Sequence, residues 1–207
     1  MSFFSFLKVI TYLPLRVIFP VKLIGKENFN YEKAVICCNH YSAMDVVVIA
    51  SRLLKGGCYC VGKEETFKTK PVKWLFNKCG AIAIKRGESD IQAFKKILKV
   101  LREGKQLLIF PEGTRNKAET PEMLEFQYGA AMFAIKTSSP VIPLVYHKKL
   151  RPFRRNYLMV GEPFSMSEFE ELPSKEAREI GTKYLYEKMS ALKKNLDESL
   201  EKSKKKQ

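Results

Sequence analysis

Short runs made almost wholly of apolar residues recur along the chain, at 33–39, Gln106–Phe110 and Val141–Tyr146, with segments of helical spacing between them. A strand wetted on one face alternates apolar and polar residues; a run without alternation suits a strand covered on both faces. Further strands are expected at Cys58–Val61, Ala81–Lys85 and Tyr157–Val160, and helices over 43–55, Pro71–Lys78 and Phe126–Thr137. Ser89 is placed to cap a helix with apolar positions Ile91, Phe94, Ile97, Leu98 and Leu101, ended by Gly104. Ser174 is placed to cap a long final helix with Ala177, Ile180, Tyr184, Met189, Leu192 and Leu196 on one face. This alternation predicts an α/β fold, a mixed, largely parallel sheet covered by helices. A chain of 207 residues, 45% hydrophobic, has the apolar content for one main domain. The expected division is a segment 1–24, a domain 25–200 and a basic tail 201–207.

Residues 3–24, FFSFLKVITYLPLRVIFPVKLI, are strongly apolar but interrupted by Lys8, Pro14, Arg16, Pro20 and Lys22. A spanning helix needs about 20 predominantly apolar residues with few charges. A secretory signal needs an unbroken apolar centre and a small-residue cleavage site. Aromatic and aliphatic residues with interspersed cations instead suit a membrane-associating helical segment lying among lipid headgroups. A helix packed in the core and a single true span are the competing readings. The charge balance points the same way as the interfacial one: 37 Lys and Arg against 22 Asp and Glu, a net of +15, calls for an anionic partner. The cations are spread widely, with no zinc-finger spacing, glycine-aromatic strand signature or basic region leading into heptads, which argues against nucleic acid.

Five cysteines, Cys37, Cys38, Cys58, Cys60 and Cys79, are odd in number, lack a C-x-x-C pair and lie partly in apolar runs. They read as reduced, buried thiols. A zinc site on Cys37, Cys38 and His40 is disfavoured, because adjacent residues on a strand point to opposite faces.

Three stretches carry side chains suited to chemistry. In Asn39-His-Tyr-Ser-Ala-Met-Asp45, His40 is one of only two histidines in the chain. Histidine is the side chain suited to proton transfer near neutral pH, and Asp45 is placed to orient its ring. Ser42 is a possible nucleophile, but the G-x-S-x-G elbow is absent. In Phe110-Pro-Glu-Gly-Thr-Arg115, which follows a buried strand, Gly113 allows close ligand approach and Arg115 offers a planar fork for phosphate. Glu112 is placed to position Arg115 or a substrate hydroxyl; a plain Pro-Gly-Thr turn is the alternative. Lys63 and Arg86 each follow or end a strand, so with Arg115 they suggest converging cations, although a solvated surface is the default for any one of them.

These stretches resemble the glycerolipid acyltransferases. Asn39–Asp45 is similar to their N-H-x4-D block, Ile84-Lys-Arg86 to the second block, Phe110–Arg115 to the F-P-E-G-T-R block, and Val141-Ile-Pro-Leu-Val145 to the fourth. Phe126-Gln-Tyr-Gly-Ala130 and Val160-Gly-Glu-Pro163 also resemble family segments, so the likeness runs over about residues 22–165, most strongly toward the bacterial 1-acyl-sn-glycerol-3-phosphate acyltransferases.

The resemblance implies transfer of a fatty acyl group from an acyl thioester to the 2-hydroxyl of lysophosphatidic acid, giving phosphatidic acid in phospholipid synthesis. His40 would be the general base and Asp45 its partner, with no covalent acyl-enzyme. Arg115, Lys63 and Arg86 would hold phosphate, while Glu112, Gly113 and Thr114 complete the substrate-binding loop. The donor would be acyl-CoA or acyl-carrier protein, with no cofactor and no metal, and the place of action the cytoplasmic face of the cell membrane. The blocks leave two alternatives open: another acceptor, such as glycerol-3-phosphate or another lysolipid, and a non-catalytic basic membrane-surface protein.

Overall fold

The computed structural model describes residues 3–54, 59–67, 69–85, 90–118, 120 and 122–204. The helices are α1 (Phe3–Ile18), α2 (Met44–Arg52), α3 (Lys70–Cys79), α4 (Ile91–Arg102), α5 (Gly129–Lys136) and α6 (Ser174–Lys204). The strands are β1 (Val21–Ile24), β2 (Ala34–Cys38), β3 (Val61–Lys63), β4 (Ile82–Ile84), β5 (Gln106–Ile109), β6 (Val141–Tyr146) and β7 (Asn156–Val160).

Five strands form one sheet in the order β1-β7-β6-β2-β5. The pairs β2/β5, β2/β6 and β1/β7 are parallel, and β6/β7 is antiparallel. The expected mixed, largely parallel sheet is therefore present, and its three unbroken apolar runs are adjacent strands. Strand β2 is buried along its whole length between β5 and β6. Its residues alternate between two cores. Val35 and Cys37 join the core under α4, α5 and α6, and Ala34, Ile36 and Cys38 the core on the α2 side. Cys37 and Cys38 thus lie on opposite faces, as strand geometry requires. Burial raises the pKa of both thiols, which leaves little reactive thiolate.

Several details differ from the sequence-based expectations. The strand expected over Cys58–Val61 spans Val61–Lys63, so Lys63 ends the strand itself; Cys58 lies outside the described residues. Strands β3 and β4 form a separate parallel pair, joined to β5 by a bridge between Cys60 and Leu108. The expected cap Ser89 also lies outside the described residues, and Asp90 caps α4 by accepting from the Ala93 N–H at 2.9 Å. Ile91 is exposed, because the buried face of α4 runs through Ala93, Ile97, Val100 and Leu101. The helix expected over 126–137 spans only Gly129–Lys136. On α6, Ile180 is exposed, and Ala177, Gly181, Leu185, Met189 and Leu196 form the buried stripe. Gly181 permits this packing, since a Cβ there would come within 2.9 Å of Ile135 Cδ1.

The largest departure is at the N-terminus. Val21–Ile24, inside the stretch expected to be interfacial, form an edge strand paired with β7. Gly25 turns the chain away with φ 72° against the Val160 carbonyl. Helix α1 packs on α2 and α3; Lys8 Nζ donates to the Leu54 carbonyl at 2.8 Å and Thr11 Oγ1 to the Leu7 carbonyl of its own helix at 2.8 Å, while Arg16 is exposed. Phe6, Val9, Ile10, Leu13 and Val17 are exposed as well. Among the described residues no helix is long and apolar enough to cross a membrane.

Candidate active site

Strands β2, β5 and β6 run in one direction, so the segments leaving their carboxyl ends emerge together, the usual place for a site in an open α/β sheet. The β2/β5 register pairs Cys37 with Ile109. Carried forward three residues, it brings His40 level with Glu112. The contacts agree: the His40 N–H donates to Glu112 Oε1 at 2.8 Å, and the Asn116 N–H donates to the His40 carbonyl at 2.7 Å. The histidine's main chain is thus held on both sides by the loop that follows β5.

Its ring is held by Asp45 and Phe110. His40 Nδ1 lies 3.0 Å from Asp45 Oδ2, and the ring stacks on Phe110 with centroids 4.0 Å apart and planes at 24°. Asp45 is fully buried in the first turn of α2. Its Oδ2 also accepts from the Tyr41 and Ser42 N–H groups, each at 2.7 Å, and its Oδ1 from the Ser42 hydroxyl at 3.1 Å. Three other donors converge on this carboxylate, which as an anion only accepts. Nδ1 therefore carries the proton in this pair, and Nε2 keeps its lone pair. Among the described residues Nε2 has no hydrogen-bond partner, and the side chain keeps 14% of its surface. Ser42 directs its hydroxyl to Asp45 and accepts from the Met44 N–H, so it shapes the start of α2 instead of facing the imidazole as a nucleophile.

Glu112 is buried. It is 3% exposed, and its second oxygen accepts from the Leu124 N–H at 3.1 Å. It ties three segments together through the His40 and Leu124 N–H groups. Burial pushes its carboxyl up to about 7 against the pull of the two N–H donors. Gly113 turns the loop with φ 61°, and Thr114 and Arg115 stand exposed beside it, next to the Asn116 that binds His40. Lys63 sits on the same end of the sheet: Cys60 bridges Leu108, so three residues on Lys63 comes level with Pro111. Arg86 lies outside the described residues.

Two residues with no assigned role in the sequence support the pair. Asn39 Oδ1 accepts from the Tyr146 N–H at 2.8 Å, and its Nδ2 donates to the Tyr146 carbonyl at 3.1 Å. This side-chain clamp extends the β2/β6 ladder beyond the strand. The buried Tyr146 hydroxyl in turn donates to the Asp45 carbonyl at 3.4 Å. Tyr146 lies 107 residues from Asn39, and the only sequence signal for it is the end of an apolar run.

The chain is similar to several known proteins. The chain is 29% identical over 184 residues to the 1-acyl-sn-glycerol-3-phosphate acyltransferase of Bacillus subtilis, covering 86% of this chain and 90% of that one. It is 28% identical to the enzyme of the same name from Cocos nucifera, covering 84% of this chain and 56% of that longer protein. Its fold matches the crystal structure of the 1-acyl-sn-glycerophosphate acyltransferase from Thermotoga maritima with a TM-score of 0.65 at 24% identity, over 92% of this chain and 78% of that one. The sequence model of the Acyltransferase family matches residues 20–147. That span is more than half of the chain and contains His40, Asp45, Glu112 and Arg115, and the chain belongs to the acyltransferase family.

Proposed function

We propose that this protein transfers a fatty acyl group from an acyl thioester to the 2-hydroxyl of 1-acyl-glycerol-3-phosphate, forming phosphatidic acid. The observation that carries the chemistry is the His40–Asp45 pair, with Nδ1 engaged at 3.0 Å and Nε2 unpartnered among the described residues. The names of the similar enzymes from Bacillus subtilis and Cocos nucifera support the choice of acceptor.

His40 Nε2 takes the hydroxyl proton as the acceptor oxygen attacks the thioester carbonyl. The Asp45 carboxylate stabilises the imidazolium that forms. Collapse of the tetrahedral intermediate breaks the C–S bond, and the imidazolium returns its proton to the departing thiolate. An ester and a free thiol result, His40 is restored, and no acyl-enzyme, metal or cofactor is called for. Arg115 and Lys63, with Arg86 beyond the described residues, hold the acceptor phosphate. Thr114 and the backbone at Gly113 line its approach, while Glu112 fixes the loop that carries them. The donor is acyl-CoA or acyl-carrier protein, both anionic and suited to a chain of net charge +15.

The N-terminal segment seats residues 25–200 on the cytoplasmic face of the membrane. Support comes from α1, which exposes Phe6, Val9, Ile10, Leu13 and Val17 with Arg16 among them, while Lys8 reaches the Leu54 carbonyl. A surface helix with that polarity calls for an apolar medium outside it. A matrix of acyl-CoA and acyl-carrier donors against lysophosphatidic acid, glycerol-3-phosphate and other lysolipids tests the reading on purified protein. Product confined to lysophosphatidic acid, and lost in His40→Ala, is expected; transfer to a different acceptor alone would replace the assignment.

A further inference from the structure

The connection between β6 and β7, residues 147–155, reads His-Lys-Lys-Leu-Arg-Pro-Phe-Arg-Arg, with five Lys or Arg and no carboxylate. It leaves the carboxyl end of β6, the same end of the sheet as His40. With the last turns of α6 it lines a cavity of about 410 Å³, whose walls carry Lys148, Lys149, Arg151, Arg154, Arg155 and Lys204. Nothing in the proposed reaction uses these cations.

The base of the loop is anchored. His147 Nδ1 meets Asp197 Oδ1 of α6 at 2.6 Å, and the buried Lys193 bonds the other oxygen of that carboxylate. Asp197 is therefore engaged by two cationic or potentially cationic partners, and the cavity walls carry six Lys and Arg side chains. The tip of the loop carries Phe153, 72% exposed with φ 56°, a conformation that non-glycine residues rarely hold without a surrounding constraint. The constraint is the bond from its N–H to the Ile18 carbonyl at 2.6 Å, where α1 ends. The loop thus ties a cluster of cations to the C-terminal end of α1, the helix that exposes Phe6, Val9, Ile10, Leu13 and Val17.

We propose that residues 147–155 and the last turns of α6 form a docking site for the phosphate headgroups of an anionic lipid surface, with Phe153 entering the apolar layer beside α1. This deepens the membrane-interface part of the proposed function and rests on it. Two observations select a bilayer over an acidic protein. The backbone beneath the exposed ring is fastened to the end of α1, and the exposed side of that helix is aliphatic and aromatic with one cation, Arg16, and no carboxylate. Lipid satisfies both halves of such a surface, apolar residues in the acyl boundary and cations at the phosphates.

Co-sedimentation of the full chain with phosphatidylglycerol–phosphatidylcholine vesicles, and with phosphatidylcholine alone, tests the site. Arg154→Gln with Arg155→Gln is expected to weaken partition to the anionic vesicles by about tenfold or more, with the difference from wild type shrinking in high salt. Phe153→Asn, which tolerates the positive φ, is expected to weaken partition to both vesicle types. An unchanged melting temperature identifies variants that remain folded. Wild-type partition by a folded double variant overturns the proposal. So does a loss confined to binding of an acidic acyl-carrier protein, which would make the loop a donor-docking surface. His40→Ala is expected to partition as wild type, and transfer activity measured in parallel tests the proposed reaction separately.

Discussion

The main-chain N–H of His40 donates to Glu112 Oε1 at 2.8 Å, joining the ends of two neighbouring strands across 72 residues of sequence. The bond places a buried carboxylate behind the general-base candidate without using either ring nitrogen. Asp45 can then orient the ring while Glu112 positions the backbone, and the two carboxylates have different tasks. One conserves the tautomer of the imidazole; the other fixes where the imidazole sits.

His40→Ala removes the proton acceptor and leaves the surrounding backbone bonds possible. The expected outcome is a fall in kcat of about a hundredfold or more, with the acceptor KM and the melting temperature little changed. Steady-state kinetics beside thermal unfolding checks it. Asp45→Asn is expected to lower kcat as well, and also to destabilise by roughly 1–3 kcal/mol. Its amide cannot accept from the Tyr41 and Ser42 N–H groups, the Ser42 hydroxyl and His40 together.

Glu112 makes a pH-dependent contribution to stability. Its carboxyl titrates near 7 when folded because it is buried, against 4.5 for an unperturbed glutamate. A carboxyl raised on folding contributes stability that is fully present below about 4.5 and lost as pH rises through about 7. The difference corresponds to roughly 3 kcal/mol as an order of magnitude. Denaturant unfolding of wild type and Glu112→Gln between pH 4.5 and 8 measures it. Wild type should lose stability relative to the variant across that window, and a pH-independent gap between them would contradict the assignment.

Arg115→Gln alters an exposed side chain in the loop that binds His40. Stability should change by less than about 0.5 kcal/mol, as for surface substitutions that break no buried contact. The acceptor KM should rise about tenfold or more if the guanidinium binds the phosphate. An unchanged KM for a folded Arg115→Gln protein would remove this residue from the phosphate site.

Gly25→Ala probes the turn that leads out of β1. The residue has φ 72°, and a Cβ would lie 2.3 Å from the Val160 carbonyl oxygen. The left-handed conformation alone costs an alanine about 1 kcal/mol or more, and the backbone clash adds to it. A loss of more than roughly 2 kcal/mol in denaturant unfolding is expected.

Local features of the chain were readable wherever the physics is local. Apolar runs without alternation marked β2, β5 and β6, because a strand covered on both faces has no polar side. His40 and Asp45 were readable as a pair because five residues separate them, and a strand end followed by a helix start brings such neighbours together. The strand character of Val21–Ile24 was hidden by the apolar stretch around it, since hydropathy does not distinguish a sheet edge from a lipid boundary. The bond between Glu112 and His40 was hidden for another reason: it follows from the β2/β5 register, which only the packed sheet defines.

The amino-acid sequence by itself determined the α/β class, the membership of His40, Asp45, Glu112 and Arg115 in ordered blocks, and the excess of positive charge. Tertiary structure decided what each of these does. It turned Glu112 inward to hold backbone, set Ser42 on Asp45, and clamped Asn39 to Tyr146 across 107 residues. It also left apolar residues of α1 exposed and tied the Phe153 backbone to the end of that helix. The division has one physical cause. Residue chemistry and short-range periodicity are properties of neighbours along the chain, whereas burial and hydrogen-bond partnership depend on which distant backbone arrives alongside.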